Sequence, residues 1–136
     1  MPHIPVLLQT VCEYLLPKPG DLIIDATAGQ GGYSQRLLEL VGPTGKVLML
    51  DWDNQAVALL RKRFRAQLES GQGLIVSGNF ADLGRIAKSL GFQTVQGIVF
   101  DFGTSRLTLE DFGKGFSFNR DEPLLMTYSQ DAAENA

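Results

Sequence analysis

Four short runs in this chain are apolar almost throughout, and each lies between stretches whose apolar residues recur at helical spacing. Leu22-Ile23-Ile24 closes on Asp25, Lys46 to Leu50 closes on Asp51, Leu74 to Val76 is the third, and Gly97-Ile98-Val99-Phe100 closes on Asp101. A strand with one wet face alternates apolar and polar residues, whereas a strand covered on both faces is apolar along its length. Strands of the second kind, joined by helices, predict a parallel sheet with helices on both faces, a doubly wound α/β domain.

The intervening segments carry the matching helical signals. Val6 to Leu16 places Leu7, Val11, Tyr14 and Leu15 on one face before Pro17-Lys18-Pro19-Gly20 ends it. Residues 33–40 offer Leu37, Leu38 and Leu40 for burial, and Gly42-Pro43-Thr44-Gly45 stops that helix. Asp53 is a candidate N-cap for one long helix carrying Val57, Leu60, Phe64 and Leu68. Asp82 is expected to cap a shorter helix presenting Leu83, Ile86 and Leu90. After Asp101 the periodicity stops. Gly103, Gly113, Gly115 and Pro123 punctuate a long irregular stretch, of a kind that is usually functional.

Composition narrows the function classes. At 136 residues, 44% hydrophobic and 20% charged, the chain suits one globular domain. A net charge of −3 provides no global attraction to nucleic acid, so any RNA contact is local. The single cysteine, Cys12, excludes an internal disulfide framework and is expected in the core. It also fits a reducing, cytoplasmic setting, and no run of 18 apolar residues predicts a membrane span. Lone His3 and lone Cys12 cannot form a metal site together. Arg61-Lys62-Arg63-Phe64-Arg65 has the look of an RNA patch, but late in a helix it reads as a solvated cationic face.

The strongest local signal is Asp25-Ala26-Thr27-Ala28-Gly29-Gln30-Gly31-Gly32-Tyr33-Ser34, between the first strand and the next helix. Glycines there let backbone approach a ligand and leave helix N-terminal amides facing it. Asp51 lies 22 residues beyond Gly29, a spacing that suits a carboxylate accepting from the ribose hydroxyls of a nucleoside cofactor. Glycine loop and acid together do not separate NAD from S-adenosyl-L-methionine. Two details favour the methyl donor. Asp25 stands where a pyrophosphate would meet repulsion, and Ser34 replaces the third small residue of the dinucleotide fingerprint. Gly78-Asn79-Phe80 follows the third strand, with Phe80 placed to pack on the base and Asn79 to meet its polar edge. Asp101-Phe102-Gly103-Thr104-Ser105 closes the fourth strand, beside the expected position of a methyl acceptor.

These segments together resemble the bacterial methyltransferases that act on a cytosine N4 amine in small-subunit ribosomal RNA, the RsmH or MraW family. The similarity lies in His3 to Leu8, in Asp25 to Ser34 with Tyr33 for the usual histidine, and in Gly78-Asn79-Phe80. It continues through Asp101 to Arg106, Gly115-Phe116-Ser117-Phe118 and Asp121-Glu122-Pro123-Leu124. The resemblance implies a Rossmann-like class I methyltransferase sheet, truncated here after the fourth strand. Residues 1–105 would be the first part of the S-adenosylmethionine-binding domain, and residues 106–136 a substrate-side loop and the start of a helical insertion. The implied cofactor contacts are Gly31, Gly32, Tyr33, Asp51, Phe80, Asp101 and Thr108, where Thr108 stands for a usual glutamine; the reading of the glycine loop and of the segment after the third strand adds Asp25, Gly29 and Asn79. Asp101 would orient the acceptor amine with Ser105 nearby, while Phe112, Phe116, Phe118 and Arg120 would hold an unstacked cytosine. Leu125-Met126-Thr127-Tyr128 departs from the family's acidic and basic pattern. The implied partner is small-subunit ribosomal RNA, with no metal and no membrane. The competing expectations are a binding module without turnover, a class I methyltransferase with another acceptor and, third, an NAD-dependent oxidoreductase.

Overall fold

In a computed structural model, residue 5, residues 7–103, Gly115, Phe116 and residues 121–127 are described. The chain forms two compact units, Met1–Asp101 and Phe102–Ala136. His3, Thr104, Ser105, Thr108, Phe112, Phe118 and Arg120 lie outside the described residues.

The first unit runs α1 (Leu8–Leu15), β1 (Leu22–Asp25), α2 (Gly32–Val41), β2 (Lys46–Asp51), α3 (Asn54–Arg63), α4 (Arg65–Ser70), β3 (Gly73–Ser77), α5 (Leu83–Ser89) and β4 (Gly97–Val99). A short 3-10 helix, Phe80–Asp82, precedes α5. All strand pairings are parallel, in the order β3-β2-β1-β4, so the chain turns back across β1 to reach β4. β1 and β2, the inner strands, are sealed on both faces. Ile23, Val47 and Met49 pack with Leu37, Val41, Leu60 and Phe64 on one side. Ile24, Leu48 and Leu50 pack with Leu83, Ile86 and Phe92 on the other. Each such side chain removed from water contributes about 1.5–3 kcal/mol.

Four expectations are corrected. α1 presents Leu8, Val11 and Leu15 to the core, while Leu7 is 59% and Tyr14 85% exposed. The helix begins at Leu8, and its inner face is set by Leu15 lying over Gly97, where a Cβ would approach Leu15 Cδ1 too closely to fit. None of its residues is fully buried, so Cys12 is half-buried rather than core. The expected single helix from Asp53 is two, because Phe64 leaves helical geometry at φ −104° and ψ 28°. Its N–H still donates to Leu60 and its carbonyl still accepts from Leu68, so the apolar spacing survives the break. β4 ends at Val99 rather than running to Asp101. Ala26 donates to the Val99 carbonyl, and the Asp101 N–H then turns to Thr27 Oγ1 at 2.7 Å instead of continuing the ladder.

In the second unit, Gly115 has φ +74° and donates its N–H to the Glu122 carboxylate at 3.1 Å. A Cβ on Gly115 would come within 2.5 Å of the Pro123 carbonyl oxygen. Two of the motif segments singled out in the sequence therefore lie directly against one another.

Candidate functional site

The carboxyl ends of β1, β2 and β4 carry Asp25, Asp51 and Asp101, and the loop after β1 passes among them. Open α/β sheets gather their ligands at this end of the strands. Asp53 starts α3 as expected, accepting the Gln55 N–H at 2.9 Å. Asp82 does not cap α5 through its side chain; it faces Arg85 at 3.5 Å. Asn79 does the capping one turn earlier, its Oδ1 accepting from the Ala81 N–H at 2.9 Å.

The glycine loop is tightly determined. Gly29 and Gly31 have φ of +51° and +81°, a region that L side chains adopt only under strain. The Gly29 N–H donates to Asp51 Oδ2 at 2.7 Å, which ties the loop to the expected ribose acid. Asp51 Oδ1 accepts the Asp53 N–H at 2.9 Å. Each carboxylate oxygen keeps a second lone pair for a ligand hydroxyl. Burial pushes the Asp51 carboxyl above its ordinary value, against the lowering effect of the Asp53 and Gly29 amides. Gly31 is the N-cap of α2 and no side chain caps that helix, so its first-turn amides are left to an anionic group.

Asp25 lies deeper. It is 0% exposed, accepts from Ser34 Oγ at 2.5 Å through Oδ2, and its Oδ1 has no hydrogen-bond partner. Burial raises its carboxyl to about 6, opposed by Ser34 and the Thr27 backbone and reinforced by the charges of Asp51 and Asp101. The Tyr33 ring is buried in the core, so what Tyr33 offers a ligand is its backbone at the start of α2. Its phenol is raised by burial and then by Asp101, Asp25 and Cys12.

The outer side of the site is more open. Asp101 is exposed at the sheet end. Phe80 is 42% exposed rather than core, and meets Phe100 edge-on with ring centroids 6.1 Å apart. Asn79 has its oxygen occupied by Ala81, which leaves its amide nitrogen for a base edge. Three participants escaped the reading of the sequence: Thr27, Phe100 and Arg63. Thr27 had a signal in the Asp-x-Thr of the loop. The Phe80–Phe100 meeting had none, since β3 and β4 are opposite edge strands and only the segments that follow them bring the two rings together. Arg63 belongs to the supposedly solvated basic run, yet it donates to the Gln30 carbonyl at 2.5 Å, and Arg61 reaches the Ile75 carbonyl at 3.3 Å.

A cationic nucleoside with an amino-acid tail fits these groups. Three carboxylates, one of them with an unmet buried oxygen, suit its positive charges, and uncapped helix amides suit its carboxylate. A pyrophosphate fits them poorly. Among the described residues no cluster of His, Cys, Asp and Glu is placed to hold a metal ion, and no helix is long and apolar enough to cross a membrane.

Parallel order, a glycine turn after β1 and an acid ending β2 define a Rossmann-like fold, and its likeness to solved methyltransferases makes it the class I methyltransferase form. TrmN from Thermus thermophilus shares it, at 26% identity and a TM-score of 0.52 over 60% of this chain and 24% of that one. The chain belongs to the MraW methylase family, whose model matches residues 1–136. Ribosomal RNA small subunit methyltransferase H of Thermomicrobium roseum is 45% identical over 98% of this chain and 40% of its own length. The protein of the same name from Syntrophobacter fumaroxidans is 37% identical over 91% of this chain and 38% of its own. The chain thus spans about 40% of the length of these curated relatives.

Proposed function

We propose that this chain is the cofactor-binding part of an S-adenosylmethionine-dependent methyltransferase that acts in the cytoplasm on the N4 amine of a cytosine in small-subunit ribosomal RNA. The observation that carries the cofactor is the set of strand-end acids around an uncapped α2, with Asp25 Oδ1 unpartnered beneath them. The acceptor comes from the family and from the names of the two relatives. Residues 1–105 are assigned to cofactor binding and residues 106–136 to the substrate side as part of the same proposal.

In this reading Asp51 takes the ribose hydroxyls, and Gly29, Gly31, Gly32 and Tyr33 offer backbone to the amino-acid tail. Phe80 and Asn79 take the base, and Asp25 sets the negative charge below the sulfonium. Thr108 and Ser105 enter by resemblance alone. S-adenosylmethionine, when bound, supplies a methyl group activated by its sulfonium. The cytosine amine is a poor nucleophile because its lone pair is delocalised into the ring, so what the chain contributes is alignment. Asp101, held at its backbone by Thr27, accepts from the amine and orients its lone pair. No strong base is needed, since the amine loses its proton readily once methylated.

The test is to titrate the chain with S-adenosylmethionine, and separately with NAD, following the fluorescence of Trp52 beside Asp51. Asp51→Ala should weaken binding of the methyl donor roughly 10- to 100-fold, the loss of charged hydrogen bonds worth about 1.5–3 kcal/mol. Saturation by NAD instead, or indifference to Asp51, would overturn the cofactor assignment. The competing reading is a cofactor- or RNA-binding module without turnover. A methylation assay on small ribosomal subunits separates the two.

A further inference from the structure

The last turn of α3 makes contacts that cofactor binding does not itself require. Arg63 sends one terminal nitrogen to the Gln30 carbonyl at 2.5 Å and the other to the Gln35 side-chain oxygen. Gln30 is the middle residue of the Gly29-Gln30-Gly31 turn. Phe64 follows immediately, with its ring against Gly31, and a Cβ there would lie 2.5 Å from Phe64 Cε2 and 3.0 Å from Leu60 Cδ2. The first turn of the same helix is tied to the other half of the site. Asp53, its N-cap, donates its N–H to Asp51 Oδ1. One ten-residue helix therefore starts at the ribose acid and ends at the glycine turn.

The weak point of that turn is the peptide between Gln30 and Gly31. Its N–H donates to the Ala28 carbonyl at 2.7 Å, and the glycine on its far side, at φ +81°, can adopt other backbone angles that L side chains would forbid. Rotation would turn an oxygen to where an amide now points. A guanidinium on the Gln30 carbonyl opposes this. Its two forked nitrogens are anchored at two points, the carbonyl and Gln35, a geometry that a lysine ammonium reproduces only in part.

We propose that Arg63 is a positioning residue of the cofactor site: by holding the Gln30 carbonyl from α3, it keeps the glycine turn in its binding conformation. The proposal rests on the cofactor reading for its effect on affinity, but not for its effect on the loop.

The experiment compares the parent chain with Arg63→Ala, Arg63→Lys and, as control, Arg65→Ala. Arg65 makes an exposed ion pair with Glu69 on the next helix and does not touch the loop. Three quantities are measured: S-adenosylmethionine affinity by calorimetry, amide hydrogen exchange of residues 29–32 in the ligand-free chain, and the unfolding midpoint. Arg63→Ala should bind the cofactor about 5- to 20-fold more weakly and exchange the Gly31 amide at least about 10-fold faster, with a midpoint matching Arg65→Ala. Arg63→Lys should recover part of both effects. Exchange and affinity indistinguishable from Arg65→Ala would overturn the proposal. So would a lowered midpoint with exchange rising equally through β1 and α2, which is the mark of a merely structural role. If Arg63→Ala does not fold, Arg63→Lys against Gln35→Ala decides by the same exchange readout. If the parent binds no cofactor, faster Gly31 exchange still upholds the brace while the cofactor reading falls.

Discussion

The two sides of the strand-end cleft are built differently. On the β1 side, Gly29 is bonded to Asp51 of β2, Gly31 packs against Leu60 of α3 and Phe64 after it, and Asp25 is bonded to Ser34 of α2. On the outer side, Phe80 and Phe100 are each more than 40% exposed and meet one another edge-on. The first side is set before any ligand arrives and holds charge where water cannot reach it. The second leaves apolar ring surface open to solvent.

The largest expected effect tests the rigid side. Gly31→Ala should cost about 2–4 kcal/mol of stability, from a strained left-handed residue and a methyl driven into Phe64. Urea unfolding measures it, and a loss below about 1 kcal/mol would mean that the loop is as adaptable as the aromatic side.

Asp25 gives the next effect. Its folded value of about 6 lies above the ordinary 3.8, so between those values the native chain holds more protons than the unfolded one. Stability therefore falls as pH rises from about 4 to about 6, and what is lost stays lost above that. Asp25→Asn, which cannot ionise, should be more stable than the parent by about 2 kcal/mol at pH 8 and no more stable at pH 4. It should at the same time bind S-adenosylmethionine less well. Unfolding curves at the two pH values check the first statement, and equal stability at pH 8 would remove the buried charge from the account.

The smallest effect belongs to the open side. Phe100→Ala should change stability by less than about 1 kcal/mol, because half of the ring is already in water. A larger loss would show that the aromatic pair is part of the framework.

The sheet was legible because fully apolar runs have one common explanation, and the loop because glycines and acids at those spacings have few. Asp51 was found for that reason and keeps its place beside Gly29. The division of the long helix was hidden, since Val57, Leu60, Phe64 and Leu68 keep helical spacing through the break. Arg63 was hidden by its own ordinariness: a cation in a last helical turn is usually solvated, and only the folded chain brings Gln30 to it. The outward face of α1 was misjudged because helical periodicity gives a stripe without saying which neighbour it meets. Here that neighbour is the start of β4 at Gly97, 82 residues after Leu15.

The sheet register has one more consequence. Asp25 is level with Met49 on one neighbour and Val99 on the other. Asp51 stands two residues further along β2, a rise of roughly 6–7 Å at the usual advance per residue, and Asp101 follows two residues after Val99, past the end of β4. The cleft is therefore stepped, with one acid as its floor and two as its rim, and the height of the step is counted in whole residues. Lengthening the turns at 17–20, 42–45 or 90–96 leaves that count alone. A single residue added inside β1 or β2 would shift a step by about 3.3 Å and swap the two faces of the strand beyond it. Residues added at the lower edge leave the acids at their levels, whereas one added within β1 or β2 changes both the step and the faces.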